Sequence, residues 1–213
     1  ADNVGWAQQF QLMQKYAPLG YCMLKGILDK DLEDEPRKGH TDRYTTTRTL
    51  MLDVDGLELE GYIIPATITQ TALKEMSERV VRFLPSVFAN ATYIATASAS
   101  LGQKGNKICL HIEFYLHSSV NPMQLKDWLT WLNISVPEFC EGVRLNPSGL
   151  SLSYPLDRTL AQNDKLIYFA PPIFHLPLTD PVQDRIVLVK KDHPTVDISN
   201  LIRDINTQQV ADA

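Results

Sequence analysis

The stretch TRTLMLDVDGLELEG, Thr47 to Gly61, places two aspartates, Asp53 and Asp55, directly behind an apolar run. The run predicts a buried strand that ends at the acidic pair. Side chains two residues apart on a strand point to the same face, so the two carboxylates are expected to project together. Carboxylates this close destabilise each other unless a cation lies between them, and Mg²⁺ or Mn²⁺ would be suitable. An Asp-Gly after a strand is also an ordinary turn signal, and the pair alone leaves both possibilities open.

The segments on either side of this strand predict a mixture of helices and strands in one unit, an α/β or α+β chain. Helical spacing and capping residues predict helices over 6–20, 69–84, 121–133 and 196–210. Runs rich in β-branched and aromatic residues predict strands over 20–30, 92–100, 108–117, 165–174 and 184–191, the last-but-one broken by two prolines. The strands over 92–100 and 108–117 are expected to form a hairpin. The charged segment 29–47 is predicted to be an exposed loop, and 148–164 to be irregular.

Composition limits the classes of protein that the chain can represent. Its 213 residues, 44% hydrophobic and 21% charged, are ordinary for a globular protein. The net charge of −5 provides no global basic field, so nucleic-acid binding would need local basic patches or metal ions. Three widely spaced cysteines without a C-x-x-C pair indicate buried thiols in a reducing compartment. No apolar run is long enough for a membrane span, so a soluble, intracellular chain is expected, and its first and last residues suggest a domain excised from a longer protein.

One hypothesis for the acidic pair is a phosphatase of the haloacid-dehalogenase type, with Asp53 as the nucleophile. Such enzymes carry D-x-D-G-T after an apolar strand, whereas this chain has Leu57 in place of the threonine. The later acidic motif would have to be Asp180 and Asp184, which lie in a proline-bracketed loop. The match is therefore incomplete at two motifs.

A second hypothesis uses the loop SASLGQKGNK, residues 98–107, which precedes the strand that carries His111. Backbone N–H groups, small hydroxyl residues and two lysines, Lys104 and Lys107, suit a triphosphate, and His111 could add another donor. Further on, Asp157 could complete a metal site with Asp53 and Asp55. Each feature also has an ordinary explanation: the lysines as solvated loop residues, His111 as a satisfied structural histidine, and Asp157 as the cap of a helix over RTLAQ.

The order of these features resembles the archaeo-eukaryotic primase superfamily, in particular the primase-polymerases of phages and plasmids. The family's D-x-D motif matches Leu50 to Asp55, its small-x-His motif matches Cys109-Leu110-His111, and its apolar-acid motif matches Leu156-Asp157. A further run of the phage-type members is similar to Asp157, Gln162, Tyr168-Phe169-Ala170-Pro171, Asp180-Pro181 and Arg185. Cys109 replaces the usual serine, and Phe169 replaces a threonine. The resemblance spans Leu50 to Val189.

The resemblance implies a DNA primase or DNA-directed polymerase in which an α/β lobe packs on an RNA-recognition-motif-like β-sheet, with residues 1–213 as one catalytic domain. It implies two-metal catalysis, with Mg²⁺ or Mn²⁺ held by Asp53, Asp55 and Asp157. The residues expected at the nucleotide are Ser98, Ser100, Lys104, Lys107, His111 and Arg185. The implied partners are a single-stranded DNA template, nucleoside triphosphates and a helicase, in the cytoplasm of a bacterial host of a phage or plasmid. A non-catalytic nucleic-acid-binding module on a similar sheet is the third hypothesis, and it predicts exposed, stacked aromatic residues.

Overall fold

The computed structural model describes residues 3–37, 39–42, 45–205 and 207–212. Its helices are α1 (Asn3–Tyr16), α2 (Gln70–Val81), α3 (Pro122–Ser135), α4 (Pro137–Cys140), α5 (Ser199–Arg203) and α6 (Thr207–Asp212). Its strands are β1 (Cys22–Leu24), β2 (Thr47–Leu57), β3 (Tyr93–Ala97), β4 (Ile108–Val120), β5 (Arg144–Leu145), β6 (Leu152–Ser153), β7 (Leu166–Tyr168) and β8 (Ile186–Val189). Three short 3₁₀ turns span Ala17–Leu19, Ser86–Phe88 and Arg158–Ala161. The mixture confirms the α+β expectation at this level.

The main sheet has four antiparallel strands in the order β2-β4-β3-β8. The predicted strand at Thr47 is confirmed as β2, and the predicted hairpin is confirmed as the pair β3 and β4. The connection from β2 to β3 contains α2, and β4 inserts between these two strands, which is the split β-α-β arrangement. The remaining strands form two small sheets, β1 with β7 and β5 with β6.

The two faces of the main sheet have different chemistry because side chains alternate along each strand. On β2, Leu50, Leu52 and Val54 point into the large core, where they join side chains of α2 and α3 such as Leu73 and Trp128. The alternate positions, which include Asp53 and Asp55, point to the other face. There a second cluster, in which Trp6 and Met13 of α1 join Ile94 of β3 and Ile186 of β8, covers part of the sheet. The acidic pair therefore lies on the face that α1 covers only in part.

Several elements are shorter than the sequence patterns predict. The strand expected over 165–174 is limited to Leu166–Tyr168, because Pro171 and Pro172 cannot donate to a ladder. The closing helix is two short helices, α5 and α6, and Asn206 between them lies outside the described residues. The predicted loop 29–47 also includes residues outside the described ranges, at 38, 43 and 44.

The short elements α4, β5 and β6 were not predicted at all. Two-residue strands with exposed side chains carry no periodicity, so nothing in the pattern indicates them. The expectation of buried thiols is confirmed for Cys109 and wrong for Cys140, which is exposed at the end of α4, and Cys22 is half-buried. Within the described ranges no helix is both long enough and apolar enough to cross a membrane.

Candidate functional site

Asp53 and Asp55 lie side by side on β2 and face two residues of β4. The register pairs Asp53 with His111 and Asp55 with Cys109, so the D-x-D and C-L-H motifs meet across one ladder. His111 Nε2 lies 3.4 Å from Asp53 Oδ1, and the Cys109 thiol donates to Asp55 Oδ1 over 3.5 Å. The two segments are therefore neighbours in space although they are more than fifty residues apart in sequence.

Asp157 is brought to the same place by a short antiparallel bridge between Val54 and Leu156. The Asp157 N–H donates to the carbonyl of Asp53, and the Asp55 N–H donates to the carbonyl of Pro155, each over 2.9 Å. The backbone thus sets all three aspartates next to one another. No sequence spacing requires this contact, because roughly a hundred residues separate Asp157 from the acidic pair.

The carboxylate of Asp157 serves as a helix cap. It accepts hydrogen bonds from the Thr159 N–H at 2.7 Å and from the Thr159 hydroxyl at 2.8 Å, at the start of the 3₁₀ turn Arg158–Ala161. The alternative explanation of Asp157 as a cap is thereby confirmed. Both carboxylate oxygens of Asp157 accept a hydrogen bond from Thr159. The carboxylate could therefore bind a metal ion only if it released Thr159.

The position of Asp53 is unfavourable for a negative charge. Its side chain is 26% exposed, and burial, followed by the charges of Asp157 and Asp55, raises its pKa to about 7. The positive charge of Lys104 acts to lower the pKa of Asp53, but its effect is smaller than that of burial or of either carboxylate. The Asp53 side chain therefore takes up a proton much more readily near neutral pH than an ordinary aspartate does. A cation beside the three carboxylates would remove the repulsion.

Asp55, in contrast, has a cation beside it. Lys104 Nζ donates to Asp55 Oδ1 over 2.8 Å. Burial acts to raise the pKa of Asp55, but the hydrogen bond and charge of Lys104, the Cys109 thiol and the charge of Arg144 together hold it below its ordinary value. Asp55 is therefore ionised at neutral pH, and its charge adds to that of Asp157 in opposing the ionisation of Asp53.

His111 is an uncharged imidazole at neutral pH, because burial lowers its pKa to about 4. Its Nδ1 shares a hydrogen bond of 3.4 Å with the hydroxyl of Thr96, on the neighbouring strand β3. Its contact with Asp53 is therefore not an ion pair, because His111 has no charge at neutral pH. A neutral imidazole can offer one N–H donor to an anion, but no positive charge.

The loop between β3 and β4 is held by its own polar groups. The Ser98 N–H donates to the Cys109 carbonyl over 3.1 Å, and the hydroxyls of Ser98 and Ser100 lie 3.2 Å apart. The two lysines of the loop differ in their partners. Lys104 contacts Asp55 as described, and Lys107 Nζ lies 3.7 Å from Glu58 Oε1. The loop therefore brings its two ammonium groups to the end of β2 that carries Asp55.

Arg185 is engaged within the protein. Its side chain is 7% exposed, and its guanidinium forms a close ion pair with Asp180, with a shortest distance of 2.6 Å. The same group donates to the carbonyls of Ala97 at 3.5 Å and Ser98 at 3.4 Å. Arg185 therefore fixes the start of the 98–107 loop. Its guanidinium donors are engaged by these acceptors, so none is free for the predicted contact with a phosphate.

Sequence reasoning overlooked Arg144, on β5. A Cβ added to Gly56 would lie 3.3 Å from one terminal nitrogen of Arg144, so the guanidinium rests against the backbone directly after Asp55. Gly56 has φ +83° at a register shift between β2 and β4, which is the geometry of a glycine β-bulge. The DG of DVDG is thus a bulge inside the strand and not a turn that ends it.

The donor chemistry of the three aspartates fits Mg²⁺ or Mn²⁺, which prefer carboxylate oxygens. Their side-chain placement is not that of a formed metal centre. Among the described residues, no group of three or more His, Cys, Asp and Glu side chains is arranged to hold a metal ion. Two of the three carboxylates are engaged with other groups, since Lys104 contacts Asp55 and Thr159 contacts Asp157. Comparison of the chain with protein-family models, with curated proteins and with solved structures gives no match.

Proposed function

We propose that the chain is a template-dependent nucleotidyltransferase of the primase-polymerase type. The observation that carries the proposal is the pairing of Asp157 with Asp53 through the bridge at Val54 and Leu156. It brings together the backbone segments that carry three aspartates of two distant motifs, and these are the residues that the resemblance to archaeo-eukaryotic primases implies as metal ligands. The split β-α-β part of the main sheet supports an RNA-recognition-motif-like core. That support comes from β2, β3 and β4. The fourth strand, β8, pairs with β3 at the edge of the sheet and is not part of the split β-α-β arrangement.

On this proposal Asp53, Asp55 and Asp157 hold two divalent cations, which would supply charge neutralisation for the attacking and leaving oxygens. The protein's own groups position the nucleotide. Lys104 and Lys107 approach from the loop and attract the triphosphate, while neutral His111 donates one hydrogen bond beside Asp53. To bind a cation, Asp55 must exchange the ammonium group of Lys104 for it, which would release Lys104 to a phosphate. Asp157 must likewise release Thr159.

The phosphatase hypothesis has less support. Its second acidic motif, Asp180 and Asp184, precedes β8, at the opposite edge of the sheet from β2. Three strand spacings, about 14 Å, separate β2 from β8. Asp180 is also paired with Arg185. A single-stranded DNA template, a helicase and a phage or plasmid replicon in a bacterial cytoplasm belong to the same proposal and depend on the resemblance alone.

A primer-extension and de novo priming assay with Mg²⁺ or Mn²⁺ tests this proposal. Asp53→Asn keeps the size of the side chain but removes the charge, and it is expected to lower product formation by at least about a hundredfold. Asp127→Asn, which removes one exposed charge from α3, is the matched control and should keep full activity. A wild-type protein that makes no product from nucleoside triphosphates, or an active Asp53→Asn variant, would contradict the proposal.

A further inference from the structure

We propose that Arg144, on the β5–β6 hairpin, binds the terminal phosphates of a nucleotide's polyphosphate chain beside Gly56. The inference rests on the proposed function for the identity of the ligand, but its geometry comes from the hairpin alone. It assigns to Arg144 the task that the resemblance to archaeo-eukaryotic primases implied for Arg185.

The hairpin is anchored to the segment that carries Asp157. Gly142, at its base, packs so closely on Pro155 that an added Cβ would lie 2.4 Å from Pro155 Cγ. The Pro155 carbonyl in turn accepts the N–H of Asp55. One chain of contacts therefore links the base of the hairpin to β2, and this link holds Arg144 at the bulge that follows Asp55.

Arg144 is an available donor at this position. Its side chain is exposed, and its charge acts on Asp55. Among the residues that the structure describes, its guanidinium has no acceptor at hydrogen-bond distance and no carboxylate at ion-pair distance. Gly56 has no side chain, so the Arg144 guanidinium and the Lys107 side chain can both pack over its backbone. The Lys107 side chain would lie 3.8 Å from a Cβ added to Gly56. A planar guanidinium with several donors matches phosphate oxygens better than an ammonium group does. With Lys104 at Asp55, three cationic side chains surround this end of β2.

The surrounding charges favour a short polyphosphate over an extended nucleic-acid backbone. Gly56 and Arg144 line a cavity of about 310 Å³ together with Glu58, Glu138 and Glu141. These carboxylates would repel a strand of phosphates that continued through the cavity. A chain of two or three phosphates that ends at Arg144 would extend from Gly56 towards Lys104 and Lys107, and not further into the cavity. We therefore place the end of the polyphosphate at Gly56.

The test is isothermal titration calorimetry of the full chain with inorganic tripolyphosphate, in the presence of Mg²⁺ and in the presence of a chelator. Arg144→Ala is expected to weaken binding about tenfold, since it removes a charge-assisted hydrogen-bond donor. Arg144→Lys should recover part of this loss, because it restores the charge but not the planar donor set. Arg203→Ala is the matched control, because it removes the same charge from an exposed residue of α5 and should bind as the wild type does.

Three results would overturn the inference: a wild-type chain that does not bind tripolyphosphate, an Arg144→Ala variant with unchanged affinity, or an affinity loss confined to a single-stranded oligonucleotide. Thermal unfolding of each variant verifies the fold, and Arg144→Gln replaces Arg144→Ala if the alanine variant is unstable. The outcome is separable from that of the proposed function. Binding that depends on Arg144 in a chain that makes no polymer would support this site and contradict the polymerase. Polymer synthesis by a chain whose binding of tripolyphosphate does not depend on Arg144 would support the polymerase and contradict this site.

Discussion

Asp157 has two tasks that compete for one carboxylate. Its backbone pairs with that of Asp53, and its side chain caps the 3₁₀ turn through Thr159. The cap stabilises the local turn, whereas the nearby charge opposes ionisation of Asp53. A residue that serves only as a cap could be replaced by asparagine at little cost, because asparagine caps as well as aspartate does. The two tasks can therefore be separated by one substitution.

Asp157→Asn is expected to lower the pKa of Asp53 from its value of about 7, because one of the two repelling carboxylates becomes neutral. The pKa can be followed by NMR from the pH dependence of the Asp53 carboxyl resonance, without added metal. Asp197→Asn, at an exposed residue before α5, is the control and should leave the titration of Asp53 unchanged. An Asp53 pKa that does not respond to Asp157→Asn would show that the two carboxylates do not interact, and would remove the main support for a shared site.

The sequence predicts some of these residues better than others, for physical reasons. Asp53 and Asp55 follow from alternation on one strand, which is a local property. Asp157 could be selected only through a family resemblance, since its contact with Asp53 spans about a hundred residues. Arg144 could not be selected, because its position depends on the fit of Gly142 against Pro155 and on the bulge at Gly56. A glycine spaced two residues before an arginine is too common to indicate such a contact.

At the scale of elements, prediction succeeds where a long segment has one clear periodicity. The strands β2 and β4 and the helices α2 and α3 are of this kind, and each packs on the large core. Prediction fails where an element exists only because a distant partner holds it. The strands β1 and β7 have three residues each, and within the described ranges each pairs only with the other. Their bounds therefore depend on tertiary contacts that no local pattern encodes.

The contact of α1 with β4 includes a buried acid. Glu113 is 3% exposed and accepts a hydrogen bond of 2.6 Å from Gln9 of α1, which itself accepts from the Tyr115 hydroxyl. Burial raises the pKa of Glu113 to about 7, although Gln9 and the charge of Lys25 act against the shift. The folded protein therefore holds this proton more tightly than the unfolded chain does. The contribution to stability is fully present below pH 4.5, the ordinary pKa, and decreases as pH rises towards 7.

Glu113→Gln is expected to reduce the loss of stability between about pH 5 and pH 8 by about 1–3 kcal/mol, because a glutamine at this site never ionises. Urea denaturation at both pH values measures the free energy of unfolding of the variant and of the wild type. The loss is reduced and not abolished, since Asp53 also has a raised pKa and contributes with the same sign. Glu138→Gln, at an exposed residue of α4, is the control. An equal pH dependence in Glu113→Gln and wild type would contradict the prediction.

For the molecule as a whole, the acidic face has a consequence for global stability. The net charge is −5, and backbone hydrogen bonds bring the segments of three aspartates together on a partly covered sheet face. Most carboxylates stabilise a folded protein as pH rises, since partners lower their pKa values. Asp53 and Glu113 do the opposite here, and of these two only Asp53 lies where a cation could reach it. A divalent cation should therefore offset the part of the loss that Asp53 causes.

Mg²⁺ is expected to raise the midpoint of thermal unfolding at pH 8 by about 3–6 °C at ten times its dissociation constant, because it binds the folded chain only. The increase should be smaller at about pH 5.5, where Asp53, with a pKa of about 7, is largely protonated and a proton must leave before the cation binds. Calorimetry at matched ionic strength, with NaCl in place of MgCl₂, separates binding from screening. Asp53→Asn should lose most of the increase and Asp127→Asn should keep it. An increase that is equal at both pH values, or unchanged in Asp53→Asn, would place the cation away from the three aspartates.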